Sequence, residues 1–62
     1  MKIEIIEKNT GKVVYTTEVH VNTLNYVAQI SEYNAEAWIA AVDDGVLNDV
    51  DKANYAFQVP KD

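Results

Sequence analysis

Two β-prone runs, KIEIIEK and VVYTTEVHV, flank Asn9-Thr10-Gly11 in the first third of the chain. Both are rich in Ile, Val, Thr and Tyr, the residues that suit a pleated, half-buried surface. A three-residue loop ending in Gly predicts a hairpin whose turn carries Gly11 in the left-handed region. That loop fixes a register: Lys8 opposite Lys12, Ile6 opposite Val14, Ile5 opposite Tyr15, Ile3 opposite Thr17 and Lys2 opposite Glu18. One face then collects Ile3, Ile5, Val13, Tyr15, Val19 and Val21. The other collects Lys2, Glu4, Thr16, Glu18 and His20, with Ile6 and Val14 as a small apolar pair among them. A one-residue slip would mix the two sets, so the pattern and the turn support each other.

A hairpin alone does not hold in water and needs a further layer. LNYVAQISEYNAEAWIAAV supplies it. Its first residues alternate as a strand would. Over the longer window, at about 100° per residue, Asn25, Gln29, Glu32, Glu36 and Asp43 gather in one arc. We therefore expect one helix from about Thr23 to Asp44, capped by Asn22 or Thr23 and stopped by Gly45, with Ser31 to Asn34 its weakest part. Leu24, Val27, Ala28, Ala35, Trp38, Ile39 and Val42 form its expected core stripe. GVLNDVDK reads as a connection with a short apolar contact from Val46, Leu47 and Val50. ANYAFQVP reads as a third strand, closed by Pro60. The expected fold is a small α+β domain of order β-β-α-β spanning residues 1–62, a three-stranded sheet with the long helix on one face. The place of the third strand, beside the first or the second, stays open.

The helix carries more apolar surface than that sheet needs. Tyr26, Ile30, Tyr33 and Ala37, continued by Ala40 and Ala41, form a second stripe at the spacing of helix–helix seams. Either it covers the sheet edge or the C-terminal loop, or it meets another chain. Tyr brings large contact area at low entropic cost, and small alanines allow close approach. We take Tyr26, Ile30, Tyr33 and Ala37 as the expected partner-binding residues, with a second copy of the chain as the simplest partner.

Charge narrows the partner further. The 62 residues hold ten acids and five lysines, for a net charge of −5. The imbalance lies after residue 31, where Glu32, Glu36, Asp43, Asp44, Asp49, Asp51 and Asp62 face only Lys52 and Lys61. Nucleic-acid binding needs clustered cations and is not expected. An acidic surface of Glu32, Glu36, Asp43, Asp44, Asp49 and Asp51 would instead suit a basic groove on a partner, as an inhibitor or DNA mimic does. No apolar run approaches the ~18 residues of a membrane span. The N-terminal MKIEIIEK lacks the apolar core of a secretory signal, and the chain reads as complete, soluble and cytoplasmic. The absence of Cys fits that compartment and excludes disulfides.

Reactive constellations are missing. His20 and Ser31 are single and fall on different elements, which does not make a triad. Glu32 and Glu36 share a polar helix arc, outside any cleft suited to acid–base work. Gly11 and Gly45 are the only glycines, so there is no phosphate-cradling loop. DDGVLNDVD matches a calcium loop only loosely. Its first and third ligand positions would be Ala40 and Val42, and the twelfth would be Asp51 where Glu is wanted. We expect no catalytic residues, no metal and no cofactor. The sequence reads as a small acidic protein-interaction or assembly module that self-associates through the helix flank, with the acidic inhibitor as the alternative.

Overall fold

The computed structural model describes residues 1–20 and 29–60. The expected helix start at Asn22 or Thr23, and the expected packing of Val21, Leu24, Tyr26, Val27 and Ala28, lie outside them. Strand β1 (Lys2–Glu7) pairs antiparallel with β2 (Val13–Glu18) and, on its other edge, with β3 (Tyr55–Gln58). The order is β2-β1-β3. Helix α1 (Ile30–Asp43) and a 3-10 helix (Asp49–Asn54) lie between β2 and β3 in sequence. The fold is α+β, with the sheet entirely antiparallel. Because β2 and β3 both oppose β1, the connection carrying α1 passes over the central strand. β1 is therefore covered by neighbours on both edges and by the helix on one face, and its Ile3 and Ile5 are fully buried. Burial of each side chain stabilises the fold by roughly 1.5–3 kcal/mol.

The hairpin keeps its expected register over Lys2 to Ile5 and departs from it near the turn. Ile5 faces Tyr15, but Ile6 faces Val13, so Val14 is an extra residue in a β-bulge. The loop is one residue longer than expected. The Glu7 amide donates to the Lys12 carbonyl at 2.9 Å, and the Gly11 amide donates to the Glu7 carbonyl at 2.8 Å. Lys8 thus sits in the loop and does not pair with Lys12. Its amide donates to the Asn54 carbonyl at 3.0 Å, continuing the β1–β3 edge instead. The Thr10 hydroxyl stiffens the loop, donating to Glu7 Oε1 at 3.1 Å and accepting from the Lys12 amide at 3.2 Å. Gly11 has φ 70°, as the turn requires. The bulge exchanges two side chains. Val13, expected inside, is 38% exposed on the open face beside Ile6, while Val14 turns in toward Ile5 and Trp38.

The helix differs most from expectation. Gln29 is extended (φ −84°, ψ 154°), so the helix begins at Ile30 and does not run on from Thr23 through this residue. Its N-terminus is capped from within: Glu32 Oε2 accepts the Gln29 amide at 2.8 Å. The stretch Ser31 to Asn34 is unbroken helix. The face on the sheet is Tyr33, Ala37, Trp38 and Ala41, with Val42 at its margin. Ala35 and Ile39, assigned to the core by pattern, are exposed. The acids explain the rotation. Glu32, Glu36 and Asp43 keep the solvent arc, and the side diametrically opposite is the one with Ala37 and Ala41. Alanine at those positions lets the helix backbone settle close over Ile3 and Ile5.

Candidate functional site

Of the four residues expected to meet a partner, the three that the structure describes do not share one exposed surface. Tyr26 is outside the described residues. Ile30, first in the helix, is 52% exposed. Tyr33 is half-buried against Ile3, Val19 and Ala37. Ala37 is fully buried, which corrects its assignment as a contact residue: its small side chain serves the helix–sheet interface of its own chain. Ala41 is likewise core, and Ala40 is half-buried.

The six acids divide in two. Glu32 is the helix cap already described. Asp44 accepts the Tyr15 hydroxyl at 2.5 Å, tying β2 to the end of α1. That hydrogen bond, with partial desolvation and the nearby negative charge, holds the Tyr15 phenol above its usual pKa. Asp49 accepts the indole N–H of buried Trp38 at 2.6 Å. Glu36, Asp43 and Asp51 are exposed, and their side chains make no hydrogen bond among the described residues. His20 and Ser31 are also exposed.

An open groove of about 520 Å³ lies at the C-terminal end of α1. Gly45, at φ 74°, turns the chain out of the helix. The amides of Val46 and Leu47 both reach back to the Ala41 carbonyl, at 3.1 and 3.4 Å. Leu47 then packs on the Ile5–Trp38–Ala41 cluster, and Val46 is left 49% exposed on the rim. Val42, Leu47 and Tyr55 make the apolar side of the groove. The start of the 3-10 helix makes the polar side, where Asn48 Oδ1 caps its own turn by accepting the Val50 amide at 3.1 Å. Asp49 and Asp51 add their carboxylates to the lining. Val50, expected to pack inward, is 86% exposed. No protein-family model, curated protein or solved structure matches this chain.

Sequence reasoning located the acids and the apolar Val46 and Leu47 but not the groove. The groove exists because Tyr55, far along the chain, is brought beside the helix end by β3. Trp38 is the hinge of that arrangement. Its ring lies 5.7 Å from Tyr55 and 6.3 Å, edge-on, from Phe57. Among the described residues no cluster of His, Cys, Asp and Glu is arranged to hold a metal, and no helix is long and apolar enough to cross a membrane.

Proposed function

We propose that this chain is a small acidic protein-interaction module that carries out no catalytic step and docks on a partner presenting basic and apolar groups together. What supports this reading is the mixture on the exposed surface of the second half. Ile39 stands 51% exposed on the same helix arc as Glu36 and Asp43. Val46 and Val50 stand out beside Asp49 and Asp51. Apolar groups set among carboxylates suit a contact with an apolar centre and a charged rim. A purely electrostatic phosphate mimic is less well supported, because Glu32 and Asp44 are already engaged within the fold.

A second copy of the chain is the other reading, favoured by the exposure of Ile30 beside half-buried Tyr33. Two bodies of charge −5 repel each other, so this contact needs added salt to form, whereas a basic partner is released by it. Sedimentation over a wide protein concentration, at low and high salt, separates the two. A monomer at every concentration and salt removes the homodimer. Association that strengthens with salt removes the basic partner as the primary one.

A further inference from the structure

We propose that the groove at the end of α1 receives a short partner segment in which a lysine or arginine neighbours a medium-sized aliphatic side chain. This rests on the acidic-module reading and assigns it a place. The cation is specified by what the helix end lacks. The C-terminus of a helix carries a partial negative charge, usually offset by a basic residue in the last turn. α1 has none there and ends instead on Asp43 and Asp44. Asp49 and Asp51 add negative charge to the lining, which holds no cation among the described residues. Between Ile30 and Pro60 the only basic residue is Lys52, which does not line the groove. A partner's ammonium or guanidinium therefore supplies the charge that the fold leaves out.

The aliphatic neighbour is specified by the opposite wall. Val42, Leu47 and Tyr55 are half-buried, and Val46 forms an exposed rim. Together they form the apolar part of a lining that is otherwise polar. The volume falls within the ~300–1,000 Å³ of ligand sites, but the groove is open along its length, which suits side chains arriving from a partner's surface better than an enclosed small molecule. Asp49 adds direction. Its carboxylate is held by the buried Trp38 indole, so the acceptor is oriented before anything binds.

The test uses the whole chain and two capped hexapeptides, one alternating lysine and leucine, the other all lysine, followed by amide chemical shifts. The expected result is a saturable response to the lysine–leucine peptide confined to Val46, Leu47, Asn48, Asp51 and Tyr55, with hexalysine giving a weaker, diffuse one. Val46→Ser, at an exposed position, should weaken the mixed peptide about fivefold by removing aliphatic contact, and Asp51→Asn should weaken it at low salt only. Equal binding by wild type and V46S overturns the proposal. Saturable shifts along Glu32, Glu36, Ile39 and Asp43 with the groove silent overturn the groove and leave the acidic module standing. No response to either peptide overturns both.

Discussion

The two ends of the sheet are held differently. At one end Ile3, Val19 and Ala37 form a small buried cluster, joined by Tyr33 and Phe57. At the other, Ile5, Trp38 and Ala41 are surrounded by Val14, Tyr15, Val42, Leu47, Tyr55 and Phe57. Among the described residues, the second end has side-chain hydrogen bonds tying separate elements to the helix region: Tyr15 to Asp44, and Trp38 to Asp49. A chain of this size has little stability in reserve, and the larger of the two clusters of described residues lies where the helix ends, which is also where the groove lies. The Ile3 end can change with less effect on it.

Trp38→Ala is the strongest way to break this contrast. It removes the centre of the larger cluster and leaves Asp49 without its donor, at a cost of ~3–5 kcal/mol. Loss of the cooperative thermal transition is expected; a folded mutant would mean that the Ile5 end is not the main source of stability. Next come Ile5→Ala and Ile3→Ala, compared by urea denaturation. Both fall in the range of ~2–5 kcal/mol for large core truncations, with Ile5 toward the upper end because more side chains close around it. Equal midpoints would erase the asymmetry.

Much of this contrast was legible in the sequence, and its exceptions have physical causes. Alternation of Ile3 and Ile5 with Lys2 and Glu4 marked the inner face, and Gly11 marked the turn. The bulge at Val14 was not legible, because Thr10 lengthens the loop with hydrogen bonds that hydrophobic alternation does not report. The helix face was misread for a related reason. Ala37 and Ala41 add little to an apolar stripe, while Ala35 and Ile39 look core-like beside Trp38, so ranking by hydrophobicity favoured the wrong side. The acids marked the solvent arc correctly, and the core lay opposite them. The partner-contact expectation inherited that error at Ala37. The groove was out of reach because it depends on β3 returning beside β1.

Smaller changes sharpen the picture. Gly11→Ala should cost about 1–2 kcal/mol, through the left-handed backbone alone, since nothing beyond Gly11 and its two chain neighbours lies within 4 Å of where a Cβ would stand. Its hydrogen exchange should quicken in the hairpin turn before it does near Trp38; uniform quickening would mean that the hairpin and the groove open as one unit. The smallest effect is expected from Tyr15→Phe. The Tyr15 phenol titrates higher folded than unfolded, so its contribution is fully present below pH ~10 and is lost as pH rises through the folded value. Melting temperature should therefore fall above that pH in the wild type and fall less in Y15F, with the wild type slightly the more stable at neutral pH and the two converging as pH rises. Parallel alkaline profiles would show that the Tyr15–Asp44 bond does not stabilise the helix end.

The bulge at Val14 also bears on how the protein behaves when crowded with its own kind. A three-stranded sheet has two outer strands, each a template on which a foreign strand can grow into fibrils. β2 is one of them, and its extra residue coils the strand and interrupts the even run of backbone groups that such growth requires. β3, the other, is only four residues long and is followed closely by Pro60, which has no amide hydrogen to offer. Both margins are blunted by local irregularity. A version straightened by deleting Val14 would gain a regular ladder and a margin that invites amyloid.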